Sequence, residues 1–154
     1  MALPVEGDMR ENFMVLDAAS NLQYRVGMEG PAISEAEWMQ ALDYIGKQDS
    51  VDYIVASGSL PPGVPADIFG RLAIIAREKG AKLVVDTSGQ ALEHAVKKGV
   101  YLIKPNLGEL SGLYGKEKLS GEEIITAART IITKGGCEVM VVSMGAEGAL
   151  LVTA

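Results

Sequence analysis

Lys104, Asn106 and Glu109 place an amine, an amide and a carboxylate just after an apolar run. That run, residues 100–103, is typical of a buried strand, and Pro105 cannot donate to a sheet, so we expect the strand to end there and a helix to begin near Asn106. Asn106 and Glu109 then share one face of the first helical turn. Such a group suits hydrated Mg²⁺ and a phosphate chain. The same pair also fits a plain N-cap asparagine with its N3 glutamate.

The composition describes a globular chain, because 48% of its 154 residues are hydrophobic and 22% are charged. The net charge of −6 argues against nonspecific nucleic-acid binding and against attraction to an anionic membrane. A single cysteine, Cys137, excludes an intramolecular disulfide, and no Cys/His cluster offers a zinc site. No apolar stretch is long enough to cross a bilayer, and the acidic N-terminus is unlike a signal peptide. We therefore expect a cytoplasmic protein without nucleic-acid or membrane partners.

A strand and helix repeat begins near residue 51 and predicts an α/β fold with a mainly parallel sheet. The predicted strands are nearly continuous apolar runs, which is typical of strands covered on both faces: residues 51–56, 82–85, 100–103 and 139–142. The helices predicted between them each end at a glycine: residues 65–79, 89–98 and 121–134. Such units in succession imply layered architecture with right-handed crossovers.

The first part of the chain has a different pattern. Residues 13–17 and 22–26 flank a small polar loop and predict a hairpin, and Ser34 with Glu37 forms a capping box that opens a helix. We divide the chain into a loose N-terminus at 1–9, hairpin strands at 10–30 and an α/β core at 31–154.

The four core strands all end in small, polar or charged residues. These endings are residues 57–63, 86–89, 104–106 and 143–148. Because ligands bind outside the carboxyl ends of parallel strands, the four endings predict a binding site on one rim of the sheet. Neither a Walker loop nor a GxGxxG motif after a strand is present, and His94 is better explained as a surface residue than as a catalyst.

The strand endings, in this order and spacing, resemble the central portion of ribokinase-like (PfkB-type) sugar kinases. The similar segments are Val55–Gly63, Val85–Gly89, Lys104–Glu109 and Val142–Gly145. The resemblance implies a three-layer α/β/α fold in which the N-terminal hairpin belongs to the lid. Residues 57–63, SGSLPPG, are similar to the branch acting on phosphorylated ketohexoses, as are residues 9–12 and 23–25.

The resemblance also implies roles for single residues. On the sugar-phosphate side it assigns Arg10, Arg25, Ser57 and Gly58. On the nucleotide side it assigns Lys104 to the phosphates, Asn106 and Glu109 to Mg²⁺ through water, and Ser143, Met144 and Gly145 to the end of the nucleotide-binding strand. Asp86 would join the metal-water network. Guanidinium groups suit phosphate because they stay charged and donate two hydrogen bonds.

The implied reaction transfers the γ-phosphoryl of ATP, with Mg²⁺, to fructose 6-phosphate; 1-phosphofructokinase or tagatose-6-phosphate kinase activity is the alternative. Met9 stands where relatives often have threonine, which leaves the sugar open. The family's early GGxxxN segment and its late GAGDS-like segment, which carries the base aspartate, do not occur in these 154 residues. We expect a central fragment that is inactive alone. A homodimer through the lid strands, or a purely non-catalytic assembly module, is a further hypothesis.

Overall fold

The computed structural model describes residues 3–8 and 10–154. Met9, the residue that leaves the sugar open, lies outside the described residues. So do the first two residues of the predicted loose N-terminus. The chain forms two compact units. The first contains the described part of Met1–Asp43 together with Pro61–Val64, and the second contains Tyr44–Leu60 and Pro65–Ala154.

The first unit contains the predicted hairpin. Strands β1 (Asn12–Asp17) and β2 (Leu22–Gly27) pair antiparallel, with Asn12 opposite Gly27 and Asp17 opposite Leu22. The Asp17 carboxylate closes the turn by accepting hydrogen bonds from the Ala19 N–H, at 3.0 Å, and from the Ser20 hydroxyl. Large apolar side chains are exposed on both faces of the hairpin: Phe13, Met14, Val15, Leu16, Leu22, Tyr24 and Val26. A two-stranded ribbon of this kind has no core of its own.

Helix α1 (Glu35–Gly46) begins at the predicted capping box. The Glu37 carboxylate accepts from the Ser34 N–H at 2.7 Å, and the Ser34 hydroxyl accepts from the Glu37 N–H at 3.4 Å. Just before it, the Ile33 N–H donates to the Pro62 carbonyl at 2.8 Å, so the proline-rich loop is tied to the segment that precedes α1.

The second unit is built on a five-stranded sheet in the order β3-β4-β5-β6-β7. Strands β3 to β6 are parallel and β7 is antiparallel to β6. The strands are β3 (Tyr53–Ser57), β4 (Lys82–Asp86), β5 (Val100–Ile103), β6 (Cys137–Ser143) and β7 (Ala149–Thr153). The helices are α2 (Ile68–Glu78), α3 (Gly89–Lys98), α4 (Leu107–Tyr114) and α5 (Gly121–Thr133). The predicted α/β fold with a mainly parallel sheet is confirmed.

Most boundaries agree with the sequence patterns to within two residues, and the two main differences, at α2 and β7, have physical causes. Helix α2 begins three residues later than predicted, because Pro65 lies in a turn that its carbonyl closes by accepting from the Ile68 N–H at 3.0 Å. Strand β7 was not predicted. Its segment follows Gly148 and opens with Ala149, Leu150 and Leu151, which suit a helix as well as a strand, so its extended form depends on pairing with β6.

One face of the sheet carries the core. Ile54, Leu83, Val85, Met140 and Val142 are buried and alternate with less buried neighbours along their strands. Strand order follows chain order, so right-handed crossovers leave the connecting helices on the same face. Those helices bury alanines against it, among them Ala73, Ala76, Ala95, Ala127 and Ala128. Apolar residues on the edges of the opposite face, Tyr53, Val55 and Leu151, are exposed.

The Cys137 thiol at the start of β6 is buried, and desolvation raises its pKa to about 12. Because the thiolate is the reactive form, we expect native protein at pH 8 to resist an aromatic disulfide reagent and to react stoichiometrically after denaturation. Absorbance of the released thiolate measures both rates. Complete labelling of the native chain within the time that the denatured chain needs would contradict the prediction.

Candidate functional site

The β5–α4 junction has the predicted local structure. Asn106 is the N-cap of α4, and its amide oxygen accepts from the Glu109 N–H at 2.9 Å. Glu109 Oε2 in turn accepts from the Asn106 N–H at 2.8 Å. The plain capping interpretation is therefore correct, but it uses only one carboxylate oxygen of Glu109. Capping and metal binding do not exclude each other.

The end of β6 lies beside this junction. The Ser143 N–H donates to the Pro105 carbonyl at 2.9 Å, and Asn106 forms an isolated parallel bridge with Ser143. Beyond it, the Met144 N–H donates to the Gly148 carbonyl at 2.9 Å across a short 3₁₀ turn that Gly145 opens with φ 62°. The predicted nucleotide-side residues thus fall on two adjoining strand ends.

A cavity of about 250 Å³ joins the ends of β3 and β4 to the start of α4. It is lined by residues 57–59, residues 86–88 and Glu109. The predicted sugar-side residues Ser57 and Gly58 therefore share one cavity with Asp86 and Glu109, both assigned to the metal. The rest of the lining is small hydroxyl side chains, which leaves the space open and polar.

Lys104 and Asp86 form an ion pair across the ends of β4 and β5, with 3.1 Å between Nζ and Oδ1. The two side chains are 45% and 41% exposed. Sequence reasoning assigned the lysine to phosphates and the aspartate to metal-bound water, and did not predict their contact. The pairing follows from the sheet, because Val85 and Ile103 are register partners and Asp86 and Lys104 directly follow them in the chain.

Thr87 is a site residue that sequence reasoning missed. Its side chain is buried, and its hydroxyl donates to the Gly58 carbonyl at 2.9 Å. The Gly58 N–H donates in the other direction, to the Asp86 carbonyl, at 2.9 Å. Gly58 has φ 106°, which L side chains rarely adopt. These two bonds hold the Ser57–Gly58 backbone against the end of β4, and the only sequence signal was a hydroxyl residue directly after the strand.

The two predicted phosphate-binding arginines belong to the first unit. Arg25 lies on β2 opposite Met14. Arg10 precedes β1, and its side chain lies close to Gly27 and Gly30. A Cβ added at Gly27 would lie 3.6 Å from the Arg10 guanidinium, and one added at Gly30 would lie 3.1 Å from Arg10 Cβ. Their role toward a sugar phosphate remains a prediction.

The donor set at the rim suits a hard divalent cation, because Asp86 and Glu109 supply carboxylate oxygens and Asn106 an amide oxygen. Within residues 3–8 and 10–154, no group of three or more His, Cys, Asp or Glu residues is placed to hold a metal ion. None of the helices in this described part combines the length and apolarity needed to span a bilayer.

Comparison with known proteins identifies the family. A model described as pfkB family carbohydrate kinase matches residues 4–154. The chain belongs to the pfkB family of carbohydrate kinases. The resemblance seen in the strand endings is thereby confirmed, and so is the ribokinase-like fold with its N-terminal hairpin.

Individual pfkB relatives are similar over nearly the whole chain. The ATP-dependent 6-phosphofructokinase isozyme 2 of Mycobacterium tuberculosis is 43% identical over 98% of this chain and 44% of its own length. The 1-phosphofructokinase of Bacillus subtilis is 31% identical over 97% of this chain and 48% of its own. The structure of Escherichia coli phosphofructokinase-2 in complex with fructose-6-phosphate superposes with a TM-score of 0.87 at 38% identity, covering 93% of this chain and 48% of that one. The chain thus spans about half the length of the curated relatives it matches.

Proposed function

We propose that this chain provides the Mg-nucleotide side and part of the sugar side of a kinase that transfers the γ-phosphoryl of ATP to fructose 6-phosphate. One observation carries the proposal: Ser57, Gly58, Asp86 and Glu109 line one cavity at the strand ends, and Lys104 reaches Asp86 beside it. Membership of a carbohydrate kinase family supports phosphoryl transfer as the reaction. We place the activity in the cytoplasm, the compartment that suits a chain with one free, buried thiol.

Each group has a role that its chemistry allows. The Lys104 amine neutralises nucleotide phosphates, and the oxygens of Asp86, Asn106 and Glu109 hold Mg²⁺ through its water shell. When bound, the metal neutralises charge that develops on the phosphoryl oxygens. Ser57 and Gly58 are proposed to contact the sugar. Arg10 and Arg25, in the first unit, are proposed to bind phosphate through their guanidinium groups. No residue of this chain is proposed as the base.

The choice of sugar follows the relatives. The 43% identity to a 6-phosphofructokinase isozyme, against 31% to a 1-phosphofructokinase, favours fructose 6-phosphate. The alternative is a 1-phosphofructokinase or tagatose-6-phosphate kinase. Activity of the gene product that carries this chain toward fructose 6-phosphate, fructose 1-phosphate and tagatose 6-phosphate distinguishes the three.

The isolated 154-residue chain is expected to bind MgATP without turning over fructose 6-phosphate. Calorimetric titration with MgATP should give a saturable isotherm, and a coupled assay for fructose 1,6-bisphosphate should give no rate above the blank. Absence of saturable binding would overturn the nucleotide-side proposal. Turnover by the isolated chain would overturn the proposed inactivity.

A second candidate function is assembly, and the exposed apolar hairpin favours it. A ribbon with large apolar side chains exposed on both faces lowers its free energy by packing against another copy. We propose a homodimer through β1 and β2. Val15 and Tyr24 are register partners near the middle of this ribbon, and both side chains are exposed.

Val15→Lys is expected to weaken self-association by about tenfold or more, because a charge would replace a buried apolar contact in the dimer. Sedimentation velocity over a dilution series measures the dissociation constant. Val55→Lys, the same change at an exposed valine of β3, is the matched control. A dimer that resists Val15→Lys, or that dissociates only with Val55→Lys, would contradict a hairpin interface.

A further inference from the structure

The Lys104–Asp86 ion pair is held in place by the backbone as well as by charge. The Lys104 N–H donates to the Val85 carbonyl at 3.2 Å, which places the amine-bearing residue directly beside the end of β4. Nζ lies 3.1 Å from Asp86 Oδ1. Asp86 also lines the cavity that Glu109 enters from the start of α4. The lysine proposed to meet phosphate is therefore already paired with an anion, next to a second anion.

We propose that Asp86 is a positioning residue that holds Lys104 at the rim and makes polyphosphate binding depend on a divalent cation. This inference rests on the proposed function and concerns the regulation of the same site. Without a cation, Asp86 neutralises the Lys104 amine, and the carboxylates of Asp86 and Glu109 repel a phosphate chain. With a cation, the charge of both carboxylates is offset, and the amine turns toward phosphate while the β4–β5 backbone bond keeps it in reach.

The size of the effect follows from the exposure of the pair. Both side chains are partly solvated, so screening reduces the interaction well below that of a buried pair. Removing one negative charge within several ångströms of a phosphate is expected to raise the affinity for a metal-free polyphosphate by roughly three- to tenfold. A role of Asp86 in folding alone would give no such gain.

The test measures dissociation constants of the chain for ATP in EDTA and for MgATP by calorimetry. In Asp86→Asn we expect metal-free ATP to bind roughly three- to tenfold more tightly than in the wild type. We also expect the preference for MgATP to shrink by at least the same factor. Asp67→Asn is the matched control, because it removes the same charge from another ion pair, Arg71–Asp67, of 3.0 Å and 45% and 43% exposure.

Lys104→Met tests the same idea independently of how Asp86→Asn folds. If Asp86 neutralises the amine in the absence of metal, the loss of the amine should weaken MgATP binding by roughly tenfold and metal-free ATP binding by less than about threefold. Equal losses for both forms would overturn the proposal. So would an Asp86→Asn protein with unchanged or weaker metal-free binding, or an Asp67→Asn protein with the same gain.

The proposed function and this inference fail differently. Absence of ATP binding in the wild type, with and without Mg²⁺, overturns both. Tight MgATP binding by the wild type, combined with an unchanged metal preference in Asp86→Asn, overturns only the role of Asp86.

Discussion

Glu109→Gln is expected to lower the MgATP affinity of the chain by about 10- to 100-fold while leaving its thermal midpoint nearly unchanged. Glutamine keeps an oxygen that accepts from the Asn106 N–H, which Glu109 Oε2 does at 2.8 Å. The helix cap therefore survives. What disappears is the carboxylate charge in the cavity shared with Asp86. The prediction separates the two interpretations of this residue pair, since a pure cap gives a protein with unchanged MgATP affinity.

Two further variants complete this test. Glu109→Ala removes both the charge and the cap, so it should lower the midpoint as well as the affinity. Glu123→Gln changes the other capping box of the second unit, in which Glu123 and Ser120 exchange the same two hydrogen bonds. Calorimetry and thermal denaturation are measured on all three. Loss of MgATP affinity in Glu123→Gln would show that the effect comes from net charge, contrary to the prediction.

Glu123 is suited to this control because the pKa of its carboxyl lies far below neutral pH. The Lys116 amine, which donates to its carboxylate, and the Ser120 N–H lower the pKa of Glu123 to about 2. A carboxyl whose pKa is lowered by folding contributes its full stabilisation at a pH above the pKa of the unfolded state. For Glu123 this contribution is lost as the pH falls through about 2. At the pH of the binding experiments the wild-type Glu123 is therefore fully charged, and Glu123→Gln removes one full negative charge.

Gly63→Ala is expected to disrupt the first unit, at a cost of roughly 3 kcal/mol or more. Gly63 has φ 85°, and an added Cβ would lie 2.3 Å from the Ile33 carbonyl oxygen. That contact is with backbone, and the same backbone is held by the 2.8 Å bond from the Ile33 N–H to the Pro62 carbonyl, so it cannot move aside cheaply. The last glycine of the SGSLPPG loop is therefore required by packing within its own unit.

Trp38 reports on this unit, because it is the only tryptophan of the sequence and its side chain is buried in α1. Urea denaturation followed by tryptophan fluorescence should show a large loss of stability in Gly63→Ala. Gly46→Ala is the matched control, since no atom lies within 4 Å of the added Cβ. We expect that control to be neutral or stabilised by up to about 1 kcal/mol. A Gly63→Ala midpoint equal to that of Gly46→Ala would contradict the close contact.

Elements whose signals are local were predictable. Helix α3 was predicted with its observed bounds because Gly99 stops it. The start of α4 was predicted because Asn106 and Glu109 cap it within four residues. Strand β7 was missed because nothing local in residues 149–153 requires an extended chain. Its partner, β6, supplies the hydrogen bonds, and the composition of neither strand specifies which strand it pairs with.

The sequence by itself determined the family and the chemical identity of each strand ending, because the residue types and spacing of a short motif can be read directly from the sequence. The Lys104–Glu109 junction belongs to this class, down to its capping hydrogen bonds. Only the tertiary structure decided that Lys104 pairs with Asp86 and that Thr87 holds Gly58. These contacts join residues 18 and 29 positions apart, and they arise because strand order and register in a parallel sheet set which strand ends become neighbours.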